Sequence, residues 1–324
     1  MSDTIRWGVL GASNFARKHM ARAIHFAEGA SLSALATSNP EKAEPFQAFA
    51  PDLQVFSDYE ALLNSDQIDA VYIPLPNHLH VEWTQKAMDA GKHVLCEKPI
   101  ALRADQIDAL IAKREETGLQ ACEAYMIVHH PQWQRVQQLV QDGAIGKLAH
   151  VDGAFSFDNS ADTQNIRHNA DMGGGGIRDI GVYTYGATRW VTGQEPEISH
   201  VDLTYENGVD VIARVSAKFP DFSAHWVNSM RMHAYQQMTF HGTNGVIRLS
   251  APFNANVYGE ARIELHQPDL GLRVERFPGV DHYVLQVEAF GRAIRGEAAF
   301  AWSLEQAKGT QKVIDAVFAA ARDG

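Results

Sequence analysis

The feature that most limits the fold is a change of grammar along the chain. From Ile5 to about residue 142, short apolar runs alternate with segments of helical spacing, and Gly29, Gly91 and Gly118 close several of the latter. Such alternation builds parallel strands joined by crossover helices, because parallel neighbours need a long connection. The pattern predicts strands over 6–10, 31–36, 70–73, 93–96 and 120–125, with helices near 15–27, 40–50, 58–64, 81–90 and 104–117. After a further helix near 131–142, β-branched and aromatic runs take over at 151–157, 198–205, 210–219, 224–232 and 238–249. The last is broken by the hairpin signal HGTNG at 241–245. Helices are expected at 177–192 and 304–322, while 254–280 gives no clear pattern. The expected fold is α/β, with an N-terminal Rossmann doubly wound parallel sheet over 1–122 and a C-terminal α+β domain with an open, mostly antiparallel sheet over 123–324. A chain of 324 residues exceeds what one core usually serves, which agrees with two domains.

The formal net charge of -11 leaves no basic excess for phosphate backbones, so a nucleic-acid partner is not expected. No apolar run is long enough to span a bilayer, and MSDTIRWGVL reads as leading straight into a strand without a signal peptide. A cytoplasmic protein with no membrane partner is therefore expected. Cys96 and Cys122 both sit in apolar strand-like runs and read as reduced core thiols. Among 15 histidines, His78 with His80 and the pair His129-His130 invite a metal reading. Adjacent histidines do not easily share a tetrahedral ion, and no cluster of Cys or carboxylates completes a ligand set, so no metal is expected.

The first strand opens into GASNFA, where Gly11 and Ala16 fit the dinucleotide fingerprint G-x-G-x-x-G/A and Ser13 stands in place of its second glycine. Gly11, Ser13, Asn14 and Phe15 are candidates for holding pyrophosphate at the following helix N-terminus; the alternative is an ordinary βα turn. The second strand ends in ATSNPEK, with Thr37, Ser38 and Asn39 and no acid until Glu41. An NAD site usually places a carboxylate there for the ribose 2′-hydroxyl. Its absence favours NADP, with Lys42 as the nearby cation, and leaves NAD possible.

Strand 70–73 ends in PLPNHLH and strand 93–96 in EKP, placing Pro76, Asn77, His80, Glu97 and Lys98 where ligands of such sheets bind. His80 also reads as a helix start. A lysine fixed by Pro99 at the end of a buried strand is costly unless its charge has a role, the alternative being a solvated turn. In GGGGIRDIGVY, four glycines form a loop approached closely by another group, and Asp179 and Tyr183 share a helical face four residues apart. A phenol within reach of a carboxylate and of Lys98 would exchange protons in carbonyl chemistry. The alternative is a core tyrosine and a first-turn acid favoured by the helix dipole.

GAS near the N-terminus, PNHLH, GKHVLCEKP, AYMIVHHPQW, NIRHN, GGGGIRDIGVY and HGTNG occur in this order, and the chain is similar over nearly its whole length to the glucose–fructose oxidoreductase/inositol dehydrogenase/rhizopine catabolism family. The resemblance implies that Lys98 lies near the substrate and that Arg167 approaches cofactor or substrate. Many members have Asp-x-x-x-His where this chain has Asp179 and Tyr183. That departure resembles the branch containing dimeric dihydrodiol dehydrogenase, NADP-dependent xylose dehydrogenase and glucose–fructose oxidoreductase. The resemblance implies hydride transfer between NADP(H) and a sugar, cyclic polyol or diol, and a homodimer or homotetramer formed through the exposed sheet face. Alternatives are an NADPH-dependent keto- or anhydrosugar reductase, an enzyme that retains its nucleotide while cycling two sugars, and a non-catalytic NADP-sensing regulatory protein.

Overall fold

The computed structural model describes residues 4–323; Met1–Asp3, the start of the stretch read as leading straight into a strand, and Gly324 lie outside the described residues. The chain forms two compact units. The first contains the chain up to Ala101, Asp105–His129 and Asp281–Ala307; the second contains Leu102–Ala104, His130–Val280 and the chain from Lys308. A single cut between 122 and 123 is thus replaced by a boundary at 129/130 and a return of the chain. The return has a packing reason: helix His282–Ile294 sets Phe290 against the fully buried Trp7, ring centroids 5.4 Å apart.

In the first unit β1 (Ile5–Leu10), β2 (Ala30–Ala36), β3 (Gln54–Phe56), β4 (Ala70–Ile73), β5 (His93–Glu97) and β6 (Ala121–Ala124) form one sheet in the order β3-β2-β1-β4-β5-β6. Every pairing is parallel. This is the doubly wound order, in which the chain reverses direction across the sheet between β1 and β4 and leaves a crevice at the strands' carboxyl ends. Continuous burial of Val94, Leu95 and Cys96 in β5 shows why these strands read as apolar runs: both faces are covered. β3 was not expected, since three largely exposed edge residues carry no periodic signal. Cys96 and Cys122 are free and buried, and burial pushes the Cys122 thiol up to about 12.

The second unit holds β7 (Leu148–Asp158), β8 (Glu197–Glu206), β9 (Val209–Lys218), β10 (Ser223–Ser229), β11 (Arg231–Gly242), β12 (Gly245–Leu249), β13 (Arg262–Gln267) and β14 (Gly271–Arg276), ordered β14-β13-β12-β11-β7-β10-β9-β8. All neighbours are antiparallel except β7 and β10. In β9, Val211, Ala213, Val215 and Ala217 are buried while Arg214 and Lys218 are exposed, the period-two signature of a sheet covered on one side. The cover is the helical segment from Ile177 to Thr192: Tyr185 meets Trp226 of β10 edge-on at 5.0 Å, and the Trp226 indole N–H donates to Thr188 Oγ1 at 3.2 Å. The reading of 224–232 as one strand is corrected: β10 ends at Ser229 and β11 begins at Arg231. The illegible segment proves to hold β13 and β14; Ile263 and Leu265 of β13 are buried, while Leu272 and Val274 of β14 are exposed beside Arg273 and Arg276.

Candidate active site

At the end of β1, Gly11 adopts φ +97°, a conformation that favours glycine, and its N–H donates to Ala36 O at 2.9 Å, tying two strand ends together. Ser13 has a local reason to replace the second glycine. Its hydroxyl accepts the Ala16 N–H at 3.0 Å, within the helical turn that starts at Asn14. Asn14 is exposed, and the half-buried Phe15 ring packs on His19 and Tyr283 at 5.1 and 5.7 Å. The turn therefore presents backbone and an amide side chain at a helix start, a geometry suited to pyrophosphate.

After β2, Thr37 is buried and its Oγ1 both donates to Asn39 O (3.2 Å) and accepts the Asn39 N–H (3.3 Å). Asn39 Oδ1 accepts the Glu41 N–H at 3.0 Å and caps the short helix Pro40–Lys42. Ser38, Asn39 and Lys42 are left exposed. This strand end offers a hydroxyl, an amide and an ammonium, and no carboxylate at the position that would meet a 2′-phosphate.

Lys98 follows β5 on a turn whose Lys98–Pro99 peptide is cis. Two buried side chains pin the turn. His80 Nδ1 lies 2.8 Å from Pro99 O, and Glu123 Oε1 accepts the Ile100 N–H at 2.9 Å. Glu123 Oε2 accepts the Trp302 indole N–H at 2.8 Å, and Trp302 also stacks on Tyr125 at 4.1 Å. Next to Lys98, the Glu97 carboxylate accepts the Tyr72 hydroxyl at 2.6 Å and the Lys98 N–H at 3.3 Å. Burial pushes its pKa up to about 7, against the pull of the Lys98 charge and the Tyr72 bond.

His80 requires a correction. It was expected to touch the cofactor, but it is fully buried, and its other ring nitrogen, Nε2, lies 2.7 Å from Leu75 O. The ring braces the loop after β4, which carries the partly exposed Pro76 and Asn77, against the turn that carries Lys98. Gly11, Thr37, Asn77 and Lys98 stand at the carboxyl ends of β1, β2, β4 and β5, as expected.

The other three candidates lie in the second unit, where the structure brings them together. Arg167, at the short helix Ile166–His168, grips Asp179 with two bonds, Nε to Oδ2 at 2.6 Å and Nη2 to Oδ1 at 3.2 Å. Its charge also acts on Tyr183. Asp179 lies in the π-helical turn Ile177–Gly181 and Tyr183 at the start of helix Val182–Thr192. The mostly buried Tyr183 ring is held between Phe155 and Phe253, at 5.7 and 5.5 Å. The glycine run has a concrete cause: a Cβ on Gly174 would collide with the Arg167 carbonyl, and one on Gly175, at φ +113°, would overlap the Asp210 carboxylate. Glu123 and Asp210 were missed in the sequence. Both were detectable as single acids inside otherwise apolar strands. Among the described residues no three His, Cys, Asp or Glu side chains gather as a metal site would require.

Residues 5–125 match the model of an oxidoreductase family with an NAD-binding Rossmann fold, GFO/IDH/MocA, and residues 133–248 match a C-terminal domain of the same family. A dTDP-3,4-didehydro-2,6-dideoxy-alpha-D-glucose 3-reductase of Actinomadura kijaniata is 31% identical, over 99% of this chain and 97% of its own. The chain belongs to the GFO/IDH/MocA oxidoreductase family. A further member, D-xylose 1-dehydrogenase (NADP(+)) 2 of Haloferax volcanii, is 31% identical, over 98% of both chains. The crystal structure of a 3-ketoreductase from Actinomadura kijaniata with NADP and TDP-benzene superposes with a TM-score of 0.90 at 29% identity, over 98% of each chain. This GFO/IDH/MocA member is thus an α/β oxidoreductase whose relatives act on sugars in both directions.

Proposed function

We propose that the protein transfers a hydride between NADP(H) and a carbinol or carbonyl carbon of a sugar, cyclic polyol or diol. The first unit is the nucleotide-binding domain and the second the substrate-binding and self-association domain. The observation that carries this reading is the acid-free end of β2, with Ser38, Asn39 and Lys42 exposed, beside the Gly11 turn and the pinned Lys98. That donor set fits a 2′-phosphate, and two of the named relatives are NADP proteins. When bound, NADP⁺ supplies the hydride acceptor.

Gly11, Ser13, Asn14 and Phe15 would hold pyrophosphate, Thr37, Ser38, Asn39 and Lys42 the adenosine end, and Pro76, Asn77 and Glu97 the nicotinamide end. In the oxidative direction the Tyr183 oxygen takes the proton of the substrate hydroxyl as the C–H hydride leaves the same carbon. Lys98 donates a hydrogen bond to that substrate oxygen and favours its deprotonated form. Asp179, oriented by Arg167, positions substrate hydroxyls. In reduction the same groups return the proton to a carbonyl oxygen, and the 3-reductase relative favours this direction on a keto sugar as the second reading. A non-catalytic nucleotide sensor has no need of both Lys98 and Tyr183. We place the enzyme in the cytoplasm and its self-association, as a homodimer or homotetramer, on the uncovered sheet face, which sedimentation velocity checks.

The test is nicotinamide absorbance with NADP⁺ or NAD⁺ against aldoses, inositols and diols, and with NADPH against keto sugars. Lys98→Ala is expected to lower kcat/KM by about a hundredfold or more while NADPH still binds. Unchanged turnover in that variant would remove Lys98 from the mechanism.

A further inference from the structure

We propose that Asp210 is a positioning residue for the reaction: its buried carboxylate clamps the first turn of the helical segment bearing Asp179 and Tyr183 and so fixes where both stand. The inference rests on the assignment of those two residues under the proposed function.

Asp210 is the second residue of β9 and is 2% exposed. Its Oδ2 accepts the Ile177 N–H at 2.6 Å, and the Gly176 N–H and its own N–H also bond the carboxylate. The Ile177 and Gly176 N–H groups are among those that a helix start leaves without intrahelical partners. A charged acceptor there gains from the helix dipole, and its bonds are stronger than those of a neutral one. The glycines make the clamp sterically feasible. Gly175 leaves no room for a Cβ beside Oδ1, and a Cβ on Gly176 would stand 3.3 Å from Oδ2. Val209, Val211 and Met230 pack as an apolar cluster around this point of the strand.

The charged and titratable groups facing Asp210 are Arg178 on the clamped turn, Tyr185 about two helical turns on, and Tyr205 on β8; Arg178 in turn faces Asp315. Burial pushes the Asp210 carboxyl up to about 7 despite the N–H groups and Arg178. A carboxylate at this depth is costly, and an amide would avoid the charge. An amide, however, has one acceptor oxygen, and its NH₂ would confront backbone N–H groups. The carboxylate is the side chain that accepts on both sides. Asp179 lies two residues beyond the clamped Ile177 and Tyr183 six beyond it, so the clamp sets the start of the segment from which both project.

The experiment is Asp210→Asn in the full chain, read by steady-state kinetics and by amide hydrogen exchange of residues 176–183. We expect kcat to fall by about tenfold or more with KM for NADP⁺ unchanged, and exchange in that segment to accelerate while the strands of the first unit keep their protection. Undisturbed exchange at 176–183, or a loosened turn with undiminished kcat, would overturn the proposal. If the wild type turns over no substrate of the panel while Asp210→Asn still loosens the turn, the proposed reaction fails and the clamp stands. Should Asp210→Asn not fold, Gly176→Ala intrudes on Oδ2 by a few tenths of an ångström and is expected to give the same kinetic split in weaker form.

Discussion

Both ring nitrogens of His80 face carbonyl oxygens, those of Leu75 and Pro99. Two acceptors favour an imidazolium, whereas complete burial beside Lys98 opposes it and pulls the pKa down to about 4. Either way the ring spans two loops, and its removal leaves two buried carbonyls without that partner. His80→Ala is expected to cost about 2–4 kcal/mol in urea unfolding and to lower kcat through the turn that carries Lys98. Ser38 permits a sharper test of cofactor choice. Ser38→Asp adds the carboxylate missing from the end of β2 and is expected to raise KM for NADP⁺ about tenfold or more while sparing NAD⁺. The lysine, Asn77 and the Gly11 turn were legible because strand ends follow from the alternation of strands and helices. The burial of His80 was not, since a histidine in PNHLH reads the same whether it faces solvent or two carbonyls.

Among the elements, those with strong periodicity or clear stops were readable, and the exceptions share a cause. β3 is three residues at an edge, and β13 and β14 alternate but hold only two apolar residues each among charges such as Arg262, Glu264, Arg273 and Glu275, too short a pattern to stand out. Helix His282–Ile294 did leave a signal in Asp281, whose carboxylate accepts the Tyr283 and Val284 N–H groups, but the uninformative run before it obscured the start. β6 shows how an element serves the site. Its Glu123 joins Ile100 to Trp302, so Trp302→Phe leaves a buried carboxylate oxygen without its indole donor. A loss of about 1–3 kcal/mol in thermal or urea unfolding is expected, with a smaller one for Tyr125→Phe, which keeps the stacking ring.

For the whole molecule, buried titrations oppose one another. Burial pulls His129 down to about 3 and His130 to about 4, from an ordinary 6.5. Their neutral forms contribute stability that is complete above pH 6.5 and is lost as the pH falls below it, because the unfolded chain then binds protons that the folded one refuses. Glu97 and Asp210, both raised to about 7, act in the other sense and favour the folded state as the pH falls through 7. Wild-type stability should accordingly vary little between pH 7.5 and 5, and single variants should expose the hidden slopes. His129→Phe, beside the Phe300 ring at 4.7 Å, is expected to gain about 2 kcal/mol on wild type between those pH values, read from paired urea titrations.

The return of residues 281–307 to the first unit sets an order of assembly. A ribosome releases β1 to β6 early, yet Phe290, which covers Trp7, and Trp302, which covers Tyr125, emerge only after every strand of the second sheet. During synthesis the core of the first unit must therefore stay open on one side until its own last segment, made after the second sheet, arrives.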